Sequence, residues 1–185
     1  MASRSEIKSL LRLERTHNLG STRPLHVAKI ALTHDPAWMR WRFVKHMRLQ
    51  QHSRGILCLY HAFRKNLIGN KLGFEMAGDN IGDGLYLIHG GPIVINSAAV
   101  LGKDVKFHGD NCVGNDGITD ACPVIGDRVD IGVGAKVLGG VFVADDCVIG
   151  AGAVVVNDAP VAGSVLVGVP ARVIKTLRTE GLADG

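Results

Sequence analysis

Residues 125–154 read IGDRVD IGVGAK VLGGVF VADDCV IGAGAV, five consecutive six-residue units that each begin with isoleucine or valine. The ladder Ile125, Ile131, Val137, Val143, Ile149 and Val155 has a companion four places on, formed by Val129, Ala135, Val141, Cys147, Ala153 and Ala159. A period of six fits neither the 3.6 of a helix nor the two of a single strand. It fits a chain that turns after each short strand, so that three units make one triangular coil and the aliphatic residues point at its axis. Glycine, asparagine and aspartate belong at the corners, where positive φ is needed, and IGDG (81–84), IGDR (125–128) and VNDA (156–159) supply them.

Upstream, Ile81, Leu87, Ile93, Ala99 and Val105 keep the same step. From Val105 to Ile125 is 20 positions, where three units would take 18, so a slip of two residues is expected between them. The intervening HGDNCVGNDGITDACP (108–123) is read as an excursion loop, a natural place to shape a site.

Residues 1–72 follow another pattern. Ile7, Leu10 and Leu11, and then Trp38, Trp41, Phe43, Val44 and Met47, fall at three- and four-residue intervals, which predicts two to four short amphipathic helices. Ser5 and Asp35 are the expected N-caps, and Gly55 and Gly69-Asn70 the expected stops. This segment holds 14 Lys and Arg against three carboxylates, a charge of +11, and the remainder carries −7. The chain is expected to comprise this basic head (1–72), a repeat domain (73–171) and a C-terminal helix and tail (172–185).

Composition narrows the functional classes. Apolar residues make up 46% of the chain but aromatic ones only 5%, with 24 glycines, as suits many small similar layers. No apolar run is long enough to span a bilayer and no apolar stretch follows the basic start, which predicts a cytoplasmic protein that is not integral to a membrane. Cys58, Cys112, Cys122 and Cys147 lack CxxC spacing and are read as reduced thiols.

The motifs IGDGLYLIHGGPIVIN (81–96), CPVIGDRVDIGVGAKVLGG (122–140), VIGAGAVVV (148–156) and VGVPARVIK (167–175) resemble, in order and spacing, the hexapeptide-repeat acyltransferases. Within that group they are similar to the serine O-acetyltransferases and to the O-acetyltransferases of capsule and exopolysaccharide synthesis. The resemblance implies a mainly β fold, a left-handed parallel β-helix; the handedness comes from the family, since parallel crossovers are in general right-handed. It also implies acetyl-CoA as cosubstrate, no metal, and a homotrimer, with pairing of trimers as a further option and no nucleic-acid partner.

In that family the histidine of an LxH unit following an IGxG turn is the general base, here His89. The chemistry asks for such a group, because a hydroxyl is a poor nucleophile until a neutral imidazole takes its proton. Glu75 in GFEM is the nearest match to the family's acidic partner, although one residue closer to the first unit. Asn96 and His108 are candidate acceptor-binding residues, each with a corner-capping role as the plainer reading. The resemblance places CoA in a groove between neighbouring chains, where Gly134, Ala135, Gly152 and Ala153 would let the backbone approach it and Arg172 and Lys175 would meet its phosphates.

Two departures bear on the acceptor. Where serine acetyltransferases have a second functional histidine in an RHP context, this chain has Ala121-Cys122-Pro123, and the aspartate beside the base is Ile88. These favour a sugar hydroxyl over free serine, which stays as the alternative. A γ-carbonic-anhydrase-like metal site would need three imidazoles, and only His89 and His108 lie in the repeat. A nucleotidyltransferase would need a phosphate-binding glycine loop that is missing, and a non-enzymatic trimeric scaffold is the remaining option.

Overall fold

The computed structural model describes residues 3–21 and 23–177. Four helices come first: α1 (Arg4–Leu19), α2 (Pro24–Leu32), α3 (Pro36–Gln51) and α4 (Gly55–Leu72). Asp35 caps α3 as expected, its carboxylate accepting from the Ala37 N–H at 2.8 Å. Ser3, not Ser5, caps α1, because Glu6 stands at the position that closes a reciprocal capping box with Ser3. The expected stops also move. Gly55 opens α4, and Gly69-Asn70 lies inside it, since a Cβ on Gly69 would sit 2.7 Å from the Phe74 carbonyl; Gly73, at φ 75°, ends the helix.

The strands follow in chain order: β1 (Phe74–Glu75), β2 (Tyr86–Leu87), β3 (Ile93–Ile95), β4 (Val100–Leu101), β5 (Lys106–Phe107), β6 (Asn111–Gly114) and β7 (Val124–Ile125). Then come β8 (Asp130–Ile131), β9 (Lys136–Leu138), β10 (Phe142–Val143), β11 (Val148–Ile149), β12 (Val154–Val155), β13 (Ser164–Gly168) and β14 (Ala171–Thr176). They form three sheets, ordered β1-β3-β6-β9-β12, β4-β7-β10 and β2-β5-β8-β11-β13-β14. From β2 to β12 the chain visits the third, first and second sheets in strict rotation, always with parallel partners.

Each turn of the coil buries two aliphatic rows per face. Leu87, Phe107, Ile131 and Ile149 are at most 0% exposed along the third sheet, and Val105, Val129 and Cys147 beside them are equally closed. Each Val or Ile so buried contributes about 1.5–3 kcal/mol relative to exposure. Asp104, Asp110, Arg128 and Asp146 take positive φ at corners, conformations that aspartate tolerates better than most side chains.

The pairing corrects the expected slip. Asp130 pairs with Val148 and Lys136 with Val154, 18 residues apart, but Tyr86 pairs with Lys106 at 20 and Lys106 with Asp130 at 24. Since Leu87 pairs with Phe107 and Ile95 with Val113, the two extra residues fall before β3, at Ile88–Pro92. The other six fall between β6 and β7, so the excursion loop is residues 115–123, while 108–114 stay in the coil. The six-residue step from Ile81 to Val105 therefore crosses from one inward row to the other: Val105 belongs with Val129, and it is Leu101 that continues into Ile125.

The opposite end carries another correction. The expected C-terminal helix from residue 172 is instead the strand β14, antiparallel to β13 after a turn at Val169-Pro170, and Val173, Ile174 and Thr176 are β-branched residues that favour it. Residues 178–185 of that expected helix lie outside the described residues.

Side chains of the helices close the first coil. β2 is the edge of its sheet, and the backbone around it is satisfied by α1 and α3 rather than by another strand. Glu14 accepts from the Gly84 and Leu85 N–H groups, Asn18 accepts from Leu87 N–H and donates to Leu85 O, and Arg40 donates to Leu87 O. Arg48 donates to Ile81 O and Gly82 O and pairs with Glu14 at 2.8 Å, with both side chains buried. Burial pushes the Glu14 carboxyl above its ordinary value against the pull of Arg48.

Candidate active site

The corner that joins the third sheet to the first is the functional candidate. Its uppermost member is Ile88–Pro92, widened by the two extra residues, and it leaves His89 exposed. One coil along, His108 occupies the equivalent corner, and the two imidazole centroids are 6.5 Å apart. The coils approach closely there: a Cβ on Gly109, at φ 102°, would lie 2.8 Å from the Gly90 carbonyl, so glycine is required.

His108 is held by a partner that sequence reasoning missed. Its Nε2 lies 2.8 Å from Oδ1 of Asp130, whose Oδ2 is 3.8 Å from the Lys106 Nζ. These groups are half-buried, with side-chain exposures of 31–45%. An ionised carboxylate only accepts, so Nε2 carries the proton and donates. Asp130 faces outward between Val129 and Ile131, an alternation visible in the sequence, but its pairing with His108 over 22 residues depends on the length of the 115–123 loop.

The next two corners on the same edge are Gly132-Val133-Gly134 and Gly150-Ala151-Gly152. Gly134 N–H donates to Gly109 O at 3.0 Å and Gly152 N–H to Val133 O at 2.8 Å, which stacks them beneath the histidines. The structure thus brings His89, His108, Gly134 and Gly152 onto one edge. Ala135 and Ala153 are instead 0% exposed and point into the core, so their side chains cannot line a groove. Arg172 and Lys175 are exposed on β14, with Arg172 donating to the neighbouring Ala171 O.

Glu75 and Asn96 border the outer face of the first sheet. They line an open groove of about 1050 Å³ between α4 and the outer face of the first sheet, together with Lys65, Asn66 and Cys112. Glu75 sits opposite Val94, five residues past His89. Asn96 accepts from its own Ala98 N–H at 3.0 Å, the bond of a corner cap. Cys122, in the loop, packs against the core, and among the described residues no three His, Cys, Asp or Glu side chains gather as a metal site.

A coil of this rotation, carrying a histidine on an exposed corner above a row of glycines, can be compared with known proteins. Over 71 residues, 37% of this chain and 42% of the relative, the chain is 42% identical to a serine acetyltransferase of Helicobacter pylori. The chain resembles the serine acetyltransferases. A second such relative, from Mycobacterium tuberculosis, is 41% identical over 68 residues, 36% of this chain and 30% of its own length. The chain therefore spans less than half the length of the curated relatives it matches. No family model matches.

Solved serine acetyltransferases extend the likeness over nearly the whole chain. That of Neisseria gonorrhoeae superposes with a TM-score of 0.70 at 26% identity, covering 96% of this chain and 70% of the other. The Brucella abortus enzyme in complex with coenzyme A gives a TM-score of 0.69 at 25% identity, over 94% and 69%. This is the resemblance to a hexapeptide-repeat acyltransferase that the motifs implied, and it includes the helical head.

Proposed function

We propose that this chain is an O-acetyltransferase that moves an acetyl group from acetyl-CoA to a hydroxyl of a small acceptor, with His89 as general base. The observation that carries the reading is the position of His89, exposed on a widened corner beside His108 and above Gly134 and Gly152. The coil is a left-handed β-helix in this reading, and three copies form a trimer in which the edge bearing His89 faces a neighbouring chain. The pantetheine arm of CoA lies along the Gly134 and Gly152 corners, where no side chain stands in the way, and the exposed Arg172 and Lys175 are available to its phosphates. Because each site needs two chains, an isolated monomer is inactive.

His89 accepts the acceptor's hydroxyl proton as the oxygen attacks the thioester carbonyl carbon. The new C–O bond forms, the C–S bond breaks, and the same proton returns to the leaving thiolate as CoA–SH. Serine is the acceptor that the relatives' name supports, and it displaces the sugar from first place. The sugar stays as a second reading because Cys122 packs against the core where the serine enzymes have a histidine, and Ile88 stands where they have an aspartate. Labelled acetyl-CoA offered with free serine, and separately with sugars and nucleotide sugars, separates the two. His89→Ala should lower kcat by about 10²–10⁴-fold, the span of general base catalysis; unchanged transfer would remove His89 as the base, and no transfer by the wild type to any acceptor would leave the scaffold reading.

A further inference from the structure

We infer that Asp130 positions His108, and that His108 takes, at its free Nδ1, a hydrogen bond from a donor group next to the hydroxyl being acetylated. The inference rests on the acetyl-transfer reading and adds to it a requirement on the acceptor: a neighbouring hydroxyl or ammonium.

The contact sets one end of the ring. Asp130 Oδ1 stands 2.8 Å from Nε2 and only accepts, so Nε2 carries a proton, and in the neutral tautomer of that ring the lone pair is on Nδ1. Lys106, 3.8 Å from the second carboxylate oxygen, tethers Asp130 from the adjacent strand. Tyr86, Lys106 and Asp130 form one outward row on β2, β5 and β8, so Asp130 is held on a strand and meets His108 at the corner that follows β5. His89 is on the same edge, 6.5 Å away between ring centroids, near enough for both rings to meet one small molecule. Two acceptor nitrogens side by side suit a substrate presenting two donors on adjacent carbons. L-Serine, with its hydroxyl and ammonium, has that pattern, and so does a sugar with vicinal hydroxyls.

The test is a cycle between protein and acceptor. L-Serine is compared with 3-hydroxypropanoate, which lacks the ammonium, and methyl glucopyranoside with its monodeoxy derivatives. The wild type should lose about tenfold in kcat/KM when the neighbouring donor is removed, the value of one hydrogen bond. His108→Ala should lose a similar factor on the complete acceptor and nothing further on the truncated one. Asp130→Ala should raise the acceptor KM by a comparable factor, with kcat changed less than about threefold and the acetyl-CoA KM unchanged. Additive losses, or an Asp130→Ala effect on kcat alone, would overturn the inference. A second measurement is independent of turnover: ring ¹⁵N resonances of His108 in the CoA-bound protein, titrated with L-serine and with methyl glucopyranoside. A shift from either probe that Asp130→Ala abolishes supports the inference, and no shift from both sinks it. Failure of the base reading is distinct, since it shows in His89→Ala, which this cycle leaves untouched.

Discussion

The helical head and the coil solve the same problem, satisfying buried polar groups, in different ways. In the coil most strand N–H groups meet a carbonyl of the adjacent turn, so its interior side chains are mainly aliphatic, and only Asn111 and Ser164 are buried polar groups there among the described residues. The head buries Glu14, Asn18, His46, Arg48, His61 and Lys65. Several of these complete the coil's first turn: Glu14 and Asn18 on the Leu85 and Leu87 N–H groups, Arg48 on Ile81 O and Lys65 on Met76 O, joined by the half-buried Gln51 on Gly78 O. A repeat has an end, and the end must be covered by something that is not the repeat. The difference teaches that the head's basic charge is in part internal: Arg40 and Arg48 are structural donors for orphaned carbonyls.

The sharpest way to break this arrangement is Arg48→Ala. It leaves Glu14 buried without its partner and two coil carbonyls without donors, and should cost about 3–5 kcal/mol, read as a fall in the denaturant midpoint with early proteolysis of the head. A coil substitution is the matched control. Ile149→Ala should cost about 3 kcal/mol through a cavity between adjacent turns, without making the head more susceptible than the coil.

Mild acid, between about pH 7 and 5, should act first on the head. His46 and His61 face each other Nδ1 to Nδ1 at 3.0 Å between α3 and α4, a contact that needs one ring to stay neutral. Burial, then His61, Arg64, Lys45 and Arg42, lower the His46 pKa to about 4, and burial followed by Lys45 lowers that of His61. A histidine depressed in the fold binds its proton more readily when unfolded, so stability is lost as pH falls through the ordinary value of about 6.5 towards 4. Between pH 7 and 5, His46 should account for about 2 kcal/mol, and His46→Gln should flatten the slope of melting temperature against pH in that window. The smallest effect belongs to Ser3→Ala. It removes the α1 capping box and should cost about 1 kcal/mol in the same melts, without touching the coil.

The coil was legible in the sequence because its rule repeats. Two aliphatic ladders, corner glycines and aspartates, and the LxH unit that displays His89 all recur at a fixed step. What escaped was whatever breaks that step. The two residues added at Ile88–Pro92 went unseen because Ile93 and Ile95 are both buried, so a ladder could cross from one inward row to the other without an apparent fault. The helix expected at Arg172–Lys175 is instead part of β14, because the chain turns back there to pair with β13, a contact that depends on the preceding turn. The helices themselves were visible as three- and four-residue spacing, but their glycines were not interpretable: Gly69 is there to admit Phe74, a contact that no local pattern records.

By itself, then, the sequence determined the repeat, the helical head, the identity of the exposed histidine and the family it resembles, because each depends on residues close along the chain or at a constant interval. Tertiary structure alone decided that His108 leans on Asp130, that the Gly134 and Gly152 corners stack on the edge that carries the histidines, and that Glu14 and Arg48 seal the first turn. The physical reason is register. A contact between coils depends on the summed lengths of every corner and loop between them, and one inserted pair of residues changes which side chains meet.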